Sequence, residues 1–146
     1  MDAAKIAMAE TILNYQFQQQ LLLWEALQAA GNGVLRVGNR VLAEGNKPLA
    51  GIGDKVLGLC AAQDIYAQQG TIAQTNHHVS TLANNETLSQ ICDGSGLTAC
   101  VNGNPAQRGV VPPKTKAAAV EAVVGAAYMD GGLPAARIVM TSLNIL

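Results

Sequence analysis

Asn46-Lys47-Pro48-Leu49-Ala50-Gly51-Ile52-Gly53-Asp54-Lys55-Val56-Leu57-Gly58-Leu59 is the stretch that decides how this chain reads. Its counterpart is Lys116-Ala117-Ala118-Ala119-Val120-Glu121-Ala122-Val123-Val124-Gly125-Ala126-Ala127-Tyr128-Met129-Asp130-Gly131-Gly132. Each places one carboxylate, Asp54 or Glu121, in the middle of an otherwise apolar helical run. An ionised side chain there is costly to bury unless it meets a cation or hydrogen-bonding partners. Two explanations are open at this point: a metal site, or a buried polar pair satisfied by Lys55, Lys116 or helix ends.

Outward from these segments the pattern is helical almost throughout. Ala3 to Leu13 carries Ile6, Ala9, Ile12 and Leu13, and Gln18 to Ala29 carries Leu21, Leu22, Leu23, Trp24 and Leu27, both nearer a 3.6-residue than a two-residue period. Gly31-Asn32-Gly33 ends the second helix. Residues 34 to 45 fit either a helix or an extended connection. Pro48 suits a first turn, so a third helix is predicted from there to Gln69, closed by Gly70. Thr71 to Asn84 reads as a helix, with Asn84 or Asn85 capping a short one through Ile91. Gly94 to Pro113 is a loop, Pro112-Pro113 launches the helix carrying Glu121, Gly131-Gly132 stops it, and Leu133-Pro134 opens a last helix. The expected fold is an all-α bundle of about seven helices in a single domain over 1–146.

Hydrophobic residues make up 49% of the chain and charged residues 13%, which points to a compact core and away from disorder. The apolar runs break well before membrane-spanning length and the N-terminus lacks a signal-peptide layout, so an intracellular protein without membrane contact is expected. Cys60, Cys92 and Cys100 are an odd set without Cys-x-x-Cys spacing, which argues for free thiols, with a bridge from Cys92 to Cys100 left open. Net charge is −1, against a purely electrostatic nucleic-acid binder. The bases are placed unevenly, however. Arg36, Arg40, Lys47 and Lys55 fall before and within the first segment, and Arg108, Lys114 and Lys116 lead into the second. If the two helices pack together, these bases ring one site and are candidate contacts for nucleic acid; otherwise they are scattered surface charge. His77-His78 point to different helix faces and read as solvated surface.

The two segments resemble the metal-binding helices of the ribonuclease III endonuclease domain. That signature reads roughly Asn-Glu-x-Leu-Glu-Phe-Leu-Gly-Asp-x-Val-Leu, then Asp-x-x-Glu-Ala-x-x-Gly-Ala-x-Tyr-x-Asp-Gly-Gly. Ile12 to Phe17 and Leu21 to Leu27 are similar to the family's opening Leu-Gly-Tyr-x-Phe and Leu-Leu-x-x-Ala-Leu pieces, and Val79 to Leu88 resembles its Leu-Val-Ser-Asn-x-x-Leu segment. The resemblance spans residues 12 to 132 in order. The double-stranded-RNA-binding domain that many members append is expected to be lacking.

The resemblance implies a homodimer whose two sites flank an RNA duplex. Each site would use four carboxylates around Mg²⁺ or Mn²⁺ to hydrolyse phosphodiesters, leaving 3′ hydroxyl and 5′ phosphate ends. Matched to the signature, Asp54 and Glu121 are the implied catalytic and metal-ligating residues, while Ala50 and Ala118 stand where the other two carboxylates belong. Alanine supplies no oxygen, so the implied ligand charge falls from about −4 to about −2, enough only for weak Mg²⁺ or Mn²⁺ binding. Gly51 stands where the family usually carries a Phe that plugs the partner subunit. Five aromatic residues (one Trp, three Tyr, one Phe) offer few stacking platforms, which favours duplex over single-stranded RNA. The function these features imply is weak or impaired endonucleolytic cleavage of double-stranded RNA in RNA processing. The alternative is a catalytically inactive dimeric subunit that binds RNA or scaffolds a ribonucleoprotein.

Overall fold

Helix starts and stops in this chain are set by short polar side chains, and the computed structural model, which describes residues 1–146, shows them at work. Helix α1 (Ala3–Leu13) begins where the Asp2 carboxylate accepts the amides of Ala4 and Lys5. Helix α2 (Gln20–Ala26) leads into a two-stranded hairpin, β1 (Arg36–Val37) and β2 (Arg40–Val41). Then come α3 (Lys47–Ala67), α4 (Ile72–Leu82), α5 (Asn85–Ser95), 3-10 turns at Leu97–Cys100 and Pro105–Gln107, and α6 (Pro113–Ser142). Thr71 and Gln74 form a reciprocal capping box at α4. Asn84 caps α5.

The all-α expectation holds, with six α-helices, the last of them broken. Gly132 adopts φ 72° and ψ −165°, which no L side chain tolerates well, and Pro134 sits in the first turn of the segment that follows. Counted as rods, the chain therefore carries about the seven anticipated. Residues 34 to 45 resolve as extended chain, since Arg36 to Val41 form the hairpin, turned at Gly38 with φ 57°. Helix α2 is shorter than the periodicity predicts. At its start the Asp130 carboxylate accepts the amides of Gln18 and Gln19 at 3.0 and 2.9 Å, capping the helix from outside. At the other end Ala29 and Leu27 exchange backbone bonds with Asn102 at 3.0 and 2.8 Å. Helix α5 runs a full turn beyond Ile91, and all three cysteines are buried free thiols.

The core is organised around α6. From Ala119 to Ala127 every residue is buried except Glu121, so this helix is apolar on all sides and must lie in the middle of the bundle. Its small residues let α3 and α5 come close, and α3 with α6 is the largest helix pair in the structure. Helix α4, by contrast, contributes no buried residue. No helix is long and apolar enough to cross a membrane.

Candidate active site

The position of the two carboxylates follows from two glycines. A Cβ on Gly53 of α3 would land on the carbonyl of Glu121 in α6, and one on Gly125 would strike the carbonyl of Leu49 and the amide of Gly53. The backbones of α3 and α6 therefore touch at this crossing, a contact only residues without a side chain allow. Asp54, next to Gly53, and Glu121 are carried to the same place by that contact. The two carboxyl groups lie near enough that Asp54 bears on the ionisation of Glu121.

Glu121 is partly buried while Asp54 keeps 43% of its side chain exposed. The Glu121 carboxyl is pushed up to about 7, first by burial, then by the negative charge of Asp54, and then by the hydrogen bond to it. Glu121 therefore keeps its proton well above the ordinary carboxyl range. Neither lysine considered from the sequence relieves it. Lys55 approaches only Asp54, at 3.6 Å, from an 85% exposed position, and Lys116 is bound to Asp93 at 2.8 Å. A buried pair satisfied by its own lysines is therefore not what this arrangement presents.

The donor set fits a small hard cation. Two carboxylates converge, one held back from ionising by the other, and a divalent ion would replace the Glu121 proton. No third His, Cys, Asp or Glu joins them. The remaining ligands would be water or substrate oxygens, as Mg²⁺ and Mn²⁺ sites permit. Ala50 lies one turn before Asp54 at the edge of the core, and Ala118 one turn before Glu121 is half-buried, so both methyls border the carboxylates.

The seven candidate bases divide. Lys47 and Lys114 line one cavity of about 220 Å³ together with Ala30, Asn46, Thr115 and Ala118. Lys55 flanks Asp54. Lys116 is committed to Asp93, and Arg40 to the buried Glu25 at 2.7 Å, so both are tied into the scaffold and the ring of bases foreseen from the sequence is incomplete. Arg36 is exposed on the hairpin, and Arg108 is exposed at φ 54° in the loop before α6. His77 and His78 both line the broad groove of about 580 Å³ between the end of α3 and α4, so the expected division of the two between different faces does not hold, although His77 is exposed.

Three features escaped the sequence reading. Asn46, 1% exposed, donates its amide to the carbonyl of Ala26 and anchors the start of α3. Glu25, 1% exposed, was legible only as a charge inside Leu21-Leu22-Leu23-Trp24-Glu25-Ala26-Leu27. Asp130 is a clasp: its carboxylate accepts from Tyr15 Oη at 2.7 Å and from the Gln18 and Gln19 amides, and these bonds hold it below the usual carboxylate range against the opposing effect of burial.

Comparison with known proteins supplies the family and the fold. Residues 47–132 match the ribonuclease III domain. The chain is 27% identical over 142 residues to Ribonuclease 3 of Agrobacterium fabrum, covering 94% of this chain and 57% of that protein. It is 34% identical over 91 residues to Ribonuclease 3 of Mesorhizobium japonicum, covering 59% of this chain and 41% of that protein. The chain thus spans about half the length of these relatives. The fold is that of the nuclease domain of ribonuclease III from Campylobacter jejuni, with TM-scores of 0.77 and 0.74 to two structures of it at 20% identity. The first alignment covers 95% of this chain and 96% of that one, the second 98% and 94%. In the first of these a region involved in dimer formation is structurally flexible. With the matched segment spanning more than half of its length, this chain belongs to the ribonuclease III family.

Proposed function

We propose that this endonuclease domain, acting as one unit over 1–146, binds double-stranded RNA and cleaves its phosphodiester backbone slowly with Mg²⁺ or Mn²⁺ held between Asp54 and Glu121. The observation that carries the reading is the convergence of two carboxylates at a backbone contact between α3 and α6, with Glu121 raised to about 7 and no lysine neutralising it. Structural carboxylates usually pair with a cation of their own; a like-charged pair persists where an outside cation serves it.

The bound metal would polarise the scissile phosphate and sharpen the attacking water. Asp54 and Glu121 would bind and orient that ion. Glu121 would give up its proton as the ion arrives, so loading would release up to one proton near neutral pH. With methyl groups at positions 50 and 118, the chain offers half the oxygen ligands of the signature, which is why turnover is expected to be slow.

A homodimer is part of this proposal. Helix α4 buries nothing of its own, and Leu59, Tyr66 and Ile72 are 49, 85 and 75% exposed along α3 and at the start of α4. Gly51, where the signature has Phe, faces open space, so this contact would be made differently from that of members with the aromatic plug.

The test is cleavage of a long RNA duplex at high Mn²⁺. Slow cleavage is expected, and it should vanish in Asp54→Ala and in Glu121→Ala. If those variants cut as the wild type does, the assignment is wrong. If no cleavage occurs while salt-dependent duplex binding persists, the second reading, an RNA-binding or scaffolding subunit, takes its place. The loss of two ligand positions to Ala50 and Ala118 is what favours that second reading.

A further inference from the structure

The cavity bordered by Ala118 is unlike the carboxylate pair beside it. Its walls are Lys47, Lys114, Asn46, Thr115, Ala30 and Ala118, with no acidic residue among them. Carboxylates elsewhere hold Arg40, Lys55, Lys116 and Arg137, whereas neither Lys47 nor Lys114 takes part in an ion pair. Both lysines are exposed at the rim and stand in the first turns of α3 and α6, which are spaced in the chain but brought together by the fold. Two ammonium groups sharing one cavity repel each other unless an anion lies between them.

The other lining groups add hydrogen-bond donors. Pro112 supplies no side-chain cap and leaves the amides of Lys114 and Thr115 in α6 for outside acceptors, whereas in α3 the Lys47 amide is taken by the Glu44 carbonyl and Pro48 has none, so only Leu49 is left there. Thr115 contributes a hydroxyl. The space of about 220 Å³ is worth roughly seven molecules of liquid water at about 30 Å³ each, room for one tetrahedral oxyanion with some of its hydration. Two ammonium groups, the Thr115 hydroxyl and no carboxylate match a phosphate, whose several oxygens take lysine as a point charge.

We infer that Lys47 and Lys114 form a metal-independent seat for a backbone phosphate of the RNA duplex, set beside Ala118 on the N-terminal side of Glu121. This deepens the reading of the domain as a duplex-RNA nuclease and rests on it. The seat lets the domain hold RNA before or without a divalent ion, since the ammonium charges offset the repulsion between the carboxylates and the strand. RNA binding and metal loading are thereby separated: the lysines carry the first and the carboxylates the second.

The experiment measures binding of an RNA duplex of mixed sequence in EDTA, across a salt series, by wild type, Lys47→Gln, Lys114→Gln and the double variant. Lys5→Gln serves as a control, and thermal melts verify folding. In parallel, inorganic phosphate is titrated while amide resonances of residues 46–49 and 114–118 are followed. The expected result is duplex binding in EDTA that weakens about tenfold in the double variant. The slope of log affinity against log salt should fall by about one if both lysines hold one phosphate. Phosphate should shift the amides of both first turns in the wild type and not in the double variant.

Wild-type binding in EDTA with unchanged affinity and slope in the double variant overturns the seat and leaves the nuclease reading standing. Wild-type binding only when Mn²⁺ is supplied overturns it as well. Failure of the wild type to bind duplex under any condition overturns the nuclease reading itself. Should inorganic phosphate still shift those amides in that case, the ligand is a free oxyanion and the RNA assignment of the seat is wrong.

Discussion

Glu121→Gln should flatten the dependence of stability on pH between about 4.5 and 7. In the folded chain Glu121 holds its proton to about 7, whereas its ordinary value is 4.5. Below 4.5 both folded and unfolded chains are protonated at this group, and its contribution is fully present. As pH rises the unfolded chain ionises first, the folded chain binds more protons, and stability is lost progressively until the folded group also ionises near 7. A displacement from 4.5 to about 7 corresponds to a ceiling of about 3 kcal/mol. Glu121 is only partly buried beside a solvent-exposed Asp54, so screening reduces this to about 1–2 kcal/mol. For a chain of this length that is roughly 2–8 °C in Tm. The assay is thermal unfolding of wild type and Glu121→Gln side by side at pH 5 and pH 8. Wild type should lose Tm over this interval by that amount more than the variant, which carries no titrating group at the position. Saturating Mn²⁺ at pH 8 should restore the wild-type loss and leave Glu121→Gln unmoved, since the ion takes the place of the proton. Parallel melting of the two proteins across the interval would refute the argument that Asp54 and burial hold the Glu121 proton.

Three further perturbations probe the architecture around this pair. Gly125→Ala places a methyl against the Leu49 carbonyl and should cost about 3 kcal/mol in denaturant unfolding, whereas Gly51→Ala, open to solvent within α3, should stabilise by about 0.5–1 kcal/mol; a neutral Gly125→Ala contradicts the backbone contact. Asp130→Asn removes the ionised acceptor shared by Tyr15, Gln18 and Gln19 and should cost about 1.5–3 kcal/mol. It should also bring down the Tyr15 hydroxyl, now raised to about 12 by burial first and by the Asp130 hydrogen bond and charge second, as ultraviolet titration would register. Restoring oxygen ligands with Ala50→Glu and Ala118→Asp together should raise Mn²⁺-dependent cleavage by on the order of tenfold or more, while lowering stability in EDTA because four carboxylates then face one another; unchanged cleavage would mean that ligand number is not what limits the site.

The features read correctly from the chain share one property: their cause is local. Asn84, Pro113 and Gly132 act within one turn of where they stand, so this cap and these breaks could be placed without knowing the fold. The features that were missed depend on partners distant in sequence. Helix α2 is capped by Asp130, more than 100 positions away, and ended by strand-like pairing with Asn102. The same holds for the bases. Nothing in the neighbourhood of Lys116 or Arg40 announces Asp93 or Glu25, so a cluster in sequence dissolves into ion pairs in space. The carboxylate pair was legible because its two members sit in apolar runs where a charge is conspicuous. Its geometry was half legible: Gly53 could be marked for close approach, but its opposing partner, the Glu121 carbonyl, is visible only once the helices cross.

That crossing holds Asp54 and Glu121 together without help from a bound ion. The distance between α3 and α6 is fixed by backbone contact at Gly53 and Gly125, and not by metal bound between side chains. The small, fully buried residues from Ala122 to Ala127 then hold α6 in place without any polar term. Alanine at 50 and 118 suits such packing, since it adds no charge to a region where like charges already raise Glu121. Each carboxylate removed relieves repulsion in the metal-free protein and weakens the hold on a cation, so stability and metal affinity move in opposite directions at these positions. A chain selected for RNA binding with little demand on turnover would drift toward alanine there, and would keep Asp54 and Glu121 only as long as a cation remained useful to it.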